Sequence, residues 1–128
     1  MQEPIELILI KHWASYIAVP ILIVDVDGNL IYFNQSAESI LGRSFDEAGE
    51  INAAELERLF DTQDLEGTPL SGEELPLVQA LTRHVPAHAS IRFRSLDGSW
   101  REIDATAVPI IGQGERKLGA LAVFWEIT

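Results

Sequence analysis

The side chains able to do chemistry in this chain are few and poorly grouped for it. His12, His84 and His88 are its three histidines, the side chains whose ordinary titration lies nearest neutrality. His84 and His88 stand four apart, as two metal ligands on one helix face can, but Pro86 between them breaks a helix and no third ligand accompanies them. They read as two exposed loop histidines, with His84 near a helix terminus where a cation offsets the helix dipole. His12 falls on an apolar stripe, where a partly buried structural histidine is expected. Asp25 and Asp27 flank a Gly28 turn, and turn chemistry accounts for them. No Ser/His/Asp spacing, no phosphate-cradling glycine loop and no paired carboxylates on an apolar face occur. An isomerase or hydrolase reaction in a small α+β cone would need a buried carboxylic acid with a raised pKa. No acid occupies a predicted inward position, and Asp104 points outward by strand parity. The expectation is a protein that binds, not an enzyme.

Composition narrows what it binds. The chain has 128 residues, 47% hydrophobic and 23% charged, which suits one folded domain with its own core. It has no cysteine, so a disulfide framework, a thiolate nucleophile and a Cys-based metal site are excluded. The formal net charge is −11, a field that repels nucleic-acid phosphates and anionic membranes alike. No apolar run reaches membrane-span length, and the first residues lack a basic leader and cleavage site. A cytoplasmic location is expected.

The elements that must position any site follow from periodicity. Met1 to Ala18 reads as a helix, with Pro4 at a first helical position and a stripe of Ile5, Ile8, Leu9, His12, Trp13, Tyr16 and Ile17. Ile21 to Val26 and Leu30 to Asn34 form a hairpin around Asp27-Gly28-Asn29. Asn34 caps a helix that buries Ala37, Ile40 and Leu41 and ends at Gly42. Ser44 with Glu47, Asn52 with Glu55, and Ser71 with Glu74 mark three further helix starts. The second of these buries Leu56, Leu59 and Phe60. The third buries Leu75, Val78 and Leu81, with Pro76 tolerated in its first turn. Asp61 to Leu70 is a polar loop. Three strands close the chain: Ala89 to Leu96, Trp100 to Ile111 and Lys117 to Ile127.

Parity refines the strands. Ile91 and Phe93 alternate with Arg92 and Arg94; Ile103, Ala105 and Ala107 alternate with Glu102, Asp104 and Thr106. A two-residue turn would set Phe93 opposite Glu102, so a three-residue loop with Gly98 in the left-handed region is predicted. It sets Phe93 opposite Ile103, Arg92 opposite Asp104 and Arg94 opposite Glu102. In the last strand Ala120, Ala122 and Phe124 share one face, and Leu121, Val123 and Trp125 the other. A strand apolar on both faces is covered on both.

The order of elements, together with Val24-Asp25-Val26-Asp27-Gly28-Asn29-Leu30-Ile31-Tyr32-Phe33-Asn34, Ala37-Glu38-Ser39-Ile40-Leu41-Gly42, Glu73-Glu74-Leu75-Pro76-Leu77, Leu96-Asp97-Gly98, Ala107-Val108-Pro109-Ile110 and a closing Glu126-Ile127-Thr128, resembles a PAS domain over nearly the whole chain. The resemblance implies an α+β fold with a five-stranded antiparallel sheet in the order 2-1-5-4-3. Short helices would cover one face, and the N-terminal helix is the candidate for the other. Residues 1–18 would be a helix for capping or dimerisation and 19–128 the PAS core. Glu126 stands where the family usually has Asp, which puts in question a relay salt bridge there.

The resemblance also implies a sensory or dimerising role in a bacterial-type signalling protein, such as a two-component system or transcription regulator, with an output domain or partner protein downstream. A ligand pocket would lie between sheet and helices. Its candidate lining is Ile23, Phe33, Ile40, Phe60, Leu77, Val78, Leu81, Ile91, Phe93, Ile103, Ala105, Ala107, Ala120, Ala122 and Phe124. The alanines either leave room for a small apolar ligand or let the helices sit close, and close packing is the expectation. Covalent flavin is excluded because the adduct-forming Cys is missing. Phe124 stands where flavin-binding members carry Gln, which argues against free flavin. Haem-binding members use a His early in the helix before the third strand, and Ser71 to Ala80 has none. No cofactor is assigned. A homodimer is expected through Ile5, Ile8, Leu9 and Trp13; Leu121, Val123 and Trp125 are further interface candidates, or else the surface on which the first helix packs within its own chain. The alternative is a ligand-free dimerisation and relay module with a filled core.

Overall fold

A computed structural model describes residues 3–127. Met1 and Gln2, where the helix was expected to start, and Thr128 at the closing motif lie outside them. The elements run α1 (Ile5–Ala14), β1 (Ile21–Asp25), β2 (Leu30–Phe33), α2 (Gln35–Leu41), α3 (Phe45–Ala48), α4 (Ala53–Phe60), α5 (Pro76–Arg83), β3 (Ala87–Arg94), β4 (Trp100–Ile111) and β5 (Lys117–Glu126). The strands make one antiparallel sheet in the order β2-β1-β5-β4-β3. Among the described residues no helix is long and apolar enough to cross a membrane.

Two apolar layers flank the sheet. On one face Leu22, Val24, Phe33, Ile91, Phe93, Ile103, Ala105, Ala122 and Phe124 pack with Ala37, Ile40, Leu41 and Ala80 of the short helices. On the other, Leu7 and Ala14 of α1 are buried against Ile21, Ile23, Ile31, Ile110 and Leu118, with Ile10, Ile17, Leu121 and Val123 packed around them. α1 therefore lies on its own sheet through Leu7, Ile10, Ala14 and Ile17, a stripe at helical spacing. Of the expected stripe, only Ile17, just beyond the end of α1, packs on the sheet. Ile5, Leu9, Trp13 and Tyr16 are 67%, 59%, 53% and 77% exposed. The helix is apolar nearly all round, so periodicity alone offered two faces. His12, expected to be partly buried, is exposed and meets Tyr16 edge to face.

Local signals set the helix ends. The Asn34, Ser44 and Asn52 side chains accept from the amides of Ala37, Glu47 and Glu55. The Ser71–Glu74 capping box opens a 3-10 turn, not an α-helix, and α5 begins only at Pro76. Pro76 removes a donor and forces Leu75 into extended backbone, which ends the first turn early. His84 ends α5 in the left-handed region, and His88, expected in a loop, lies exposed on β3.

The β3–β4 hairpin has a three-residue loop with Gly98 at φ 88°, but the loop is Leu96–Gly98, closed by Ser95 and Ser99. The register consequently moves by two. Ile91 faces Ile103, Phe93 faces Arg101, Arg92 faces Glu102, Arg94 faces Trp100, and Ser90 faces Asp104. Phe93 and Ile103 still share a face, but the predicted pairs Phe93–Ile103, Arg92–Asp104 and Arg94–Glu102 do not form. The cause lies in the loop. The Asp97 carboxylate accepts from the Ser95 hydroxyl at 2.7 Å, the Ser99 amide at 2.9 Å and the Ser99 hydroxyl at 2.6 Å. Leu96 also donates to the Leu41 carbonyl at the end of α2.

Asp97 is held well below its ordinary value of 3.8, first by the Ser99 hydroxyl, then by the Ser99 amide and the Ser95 hydroxyl. A depressed folded-state value stabilises the fold above the unfolded-state value and is lost as the pH falls below it. Asp97→Asn is expected to lower the urea midpoint near neutrality, with the gap to the parent shrinking below about pH 4. A gap of equal size at both ends of that range would contradict this.

Candidate functional site

The helical face of the sheet is not filled. A cavity of about 410 Å³ lies between β1, β3, β4 and β5 on one side and α4, α5 and the 3-10 turn on the other. Its floor is Leu22, Val24, Ile91, Phe93, Ile103, Ala105, Ala122 and Phe124, every one of them buried. Its walls are Leu56 and Phe60 of α4, Leu75, and Pro76, Leu77, Val78 and Leu81 of α5. Phe60 meets Phe93 edge to face at 5.4 Å. Four lining residues are exposed: Val26, Asp27, Glu57 and Thr82. They place the mouth between the β1–β2 turn, α4 and α5.

The turn at the mouth is rigid for a visible reason. The Asp25 carboxylate accepts from the amides of Asp27 and Asn29 at 2.9 and 3.0 Å and from the Asn29 side chain at 3.1 Å. Gly28 sits at φ 84°, and a Cβ there would lie 3.6 Å from that of Ala53 and 3.8 Å from Cδ1 of Leu81. The turn thus rests on the start of α4 and on α5. Asp25 and Asp27 have the turn role their spacing suggested, and the Asp27 side chain is left facing the mouth.

Of the expected lining, the structure brings Phe60, Leu77, Val78, Leu81, Ile91, Phe93, Ile103, Ala105, Ala122 and Phe124 around the cavity. Ile23 is a correction. It pairs with Leu121 and lies under α1 on the opposite face. Direct antiparallel partners share a face, and Leu22 and Val24, opposite Ala122 and Ala120, take the cavity side instead. Ile21 to Val24 is apolar at every position, so only the register decides which residues face inward. Phe33 and Ile40 are buried in the same layer but do not line the cavity; Phe33 packs on Phe45 instead.

The alanine row splits. Ala107 and Ala120 are fully buried away from the cavity, in the layer that includes the fully buried Ala80 of α5, and they permit close packing. Ala105 and Ala122 instead open onto the cavity. The expectation of close packing therefore fails at those two positions. The mouth residues Val26, Asp27, Gly28, Glu57 and Thr82 were not anticipated, because helix and turn orientation around the opening leaves no local sequence pattern.

Of the interface candidates, Ile5, Ile8, Leu9 and Trp13 lie on the outer face of α1. Leu121 and Val123 are packed beneath α1 of the same chain and are corrected on that ground. Trp125 is 47% exposed.

The electrostatics of the site are simple. Arg101 stands on the cavity face of β4 but does not line the cavity; its guanidinium donates to Glu126 at 3.0 Å and lies 3.9 Å from Asp97. Glu126 thus makes an ion pair despite its departure from the usual Asp. Arg101 Nε is buried without a partner among the described residues. No group of three His, Asp or Glu positioned for a metal ion occurs among the described residues. The site can shelter hydrocarbon, and the acids lining it among the described residues, Asp27 and Glu57, lie at its exposed mouth.

The family model of the PAS fold matches residues 10–127. No curated protein matches the sequence. Among solved structures, the PAS domain of a protein from Colwellia psychrerythraea is 22% identical with a TM-score of 0.66, over 95% of this chain and 97% of that one. The PAS domain of nitrogen regulation protein NR(II) from Vibrio parahaemolyticus is also 22% identical, with a TM-score of 0.65 over 93% and 98%. The PAS domain of Bordetella pertussis BvgS is 16% identical, with a TM-score of 0.67 over 98% and 88%.

Proposed function

The chain belongs to the PAS fold family, and we propose that it is a sensory domain whose cavity receives a small apolar ligand and whose α1 relays occupancy to a partner protomer or output domain. The observation that carries this reading is the cavity of about 410 Å³, inside the range of about 300–1,000 Å³ typical of small-molecule sites and walled almost wholly by hydrocarbon. The acids that line the cavity lie at its exposed mouth, which favours binding over turnover. The neighbours from nitrogen regulation and BvgS are consistent with signalling but agree with this chain only in fold. The test is calorimetric titration with decanol. Saturable one-to-one binding supports the reading; no binding removes it.

A second reading, homodimerisation, is favoured by one observation. α1 buries Leu7 and Ala14 on its own sheet, yet still exposes Ile5, Ile8, Leu9 and Trp13 on its outer face. Contiguous apolar surface of this kind commonly marks an interaction site. Ile8→Glu combined with Trp13→Ala is expected to convert a sedimenting dimer to a monomer with the urea midpoint unchanged. If the double variant sediments as the parent does, α1 is not the interface.

A further inference from the structure

We propose that the cavity is selective for apolar molecules carrying a cationic, hydrogen-bond-donating end, such as alkyl amines, and discriminates against apolar carboxylates and phosphates. This rests on the reading of the cavity as a receptor and adds the class of its ligand. Apart from Thr62 the interior offers a ligand hydrocarbon, so a charged end is best placed at the mouth, as an amphipathic side chain keeps its head in water. The ionisable residues that line the cavity are Asp27 and Glu57, both acids, and both are exposed at the mouth. Among the described residues no Arg, Lys or His lines it. Thr82, the other polar group exposed there, spends its hydroxyl proton on the Val78 carbonyl at 2.8 Å and offers only an acceptor.

Of the cations around the lining, Arg58 is paired with Glu55 and Arg101 with Glu126 and Asp97, while His84 and Lys117 line a separate hollow on the other side of Val26 and Leu81. The formal charge of −11 adds a long-range field of the same sign. An ammonium end therefore meets acceptors and opposite charge. A carboxylate end meets two like charges and no donor among these side chains.

The test uses three probes of equal tail, decylamine, decanol and decanoate, titrated near neutrality and followed by backbone amide shifts. Shifts at Gly28, Ala105 and Ala122 report the cavity and separate it from general attraction to an acidic surface. Decylamine is expected to bind tightest, with decanoate weaker than decylamine by about tenfold or more at low ionic strength. The preference is expected to shrink with salt. Asp27→Asn with Glu57→Gln is expected to bring decylamine and decanoate together, with decanol affinity moving far less than that of either charged probe. Both side chains are exposed and unbonded, so the variant should fold as the parent does. Equal binding of decylamine and decanoate by the parent, or a preference that survives the double variant, overturns the selectivity and leaves the receptor reading standing. Failure of decanol to bind overturns the receptor reading and the selectivity together.

Discussion

Asn34→Ala is expected to destabilise the protein by about 3–5 kcal/mol, read as a lower urea midpoint at unchanged slope. Asn34 is 1% exposed and is shared by three parts of the fold. Its carbonyl oxygen accepts from the Ile21 amide at 3.0 Å, at the start of β1, and from the Ala37 amide at 3.1 Å, in the first turn of α2. Its amide nitrogen lies 3.0 Å from the carbonyl of Ala14, 3.2 Å from that of Ile17 and 2.9 Å from that of Val19. Removing the side chain deletes a helix cap, worth about 1 kcal/mol, and leaves buried donors and acceptors unpaired at about 1–3 kcal/mol each, less what water recovers. Asn34→Ser keeps a capping oxygen but cannot span to the three carbonyls. It is expected to recover the cap alone, so its residual deficit measures how firmly the end of α1 is tied to the core. A loss below about 1 kcal/mol for alanine would show that this tie is not what seats α1.

Filling the cavity is expected to abolish binding while leaving the fold intact. In Ala105→Leu with Ala122→Leu, the added carbons extend from the floor into space that no protein atom fills. Overpacking costs are therefore avoided, and burying the new apolar surface should leave stability unchanged or raise it by about 1 kcal/mol. Decanol affinity is expected to fall at least about a hundredfold, or about 2.7 kcal/mol. A core substitution that raises stability and removes binding at once cannot be explained by unfolding. Undiminished decanol binding by this variant would place the ligand elsewhere.

Much of the architecture was legible because it rests on local signals. The caps at Asn34, Ser44 and Asn52, the left-handed glycines 28, 42 and 98, and the two-faced apolar pattern of β5 each report a geometry only a few residues wide. What failed depends on contacts distant in sequence. The hairpin register turns in part on Leu96 reaching Leu41, although the gathering of Ser95 and Ser99 by Asp97 is local and was simply not read from the sequence. The inward face of β1 turns on its register against β5, which no pattern in an all-apolar strand encodes. The buried face of α1 turns on where Asn34 holds its C-terminal end. Ala105 and Ala107 have the same residue type and the same parity, yet one opens onto a cavity and the other does not. The difference lies in where the helices sit above the sheet, a property of packing that the alanines themselves do not record.

That the space between sheet and helices receives a ligand is tested most directly by amide shift mapping during a decanol titration. Gly28, Ala53, Ala105 and Ala122, which line the cavity, should move together along one saturating curve and show the largest shifts. No saturable movement, or movement confined to the outer face of α1, would contradict it.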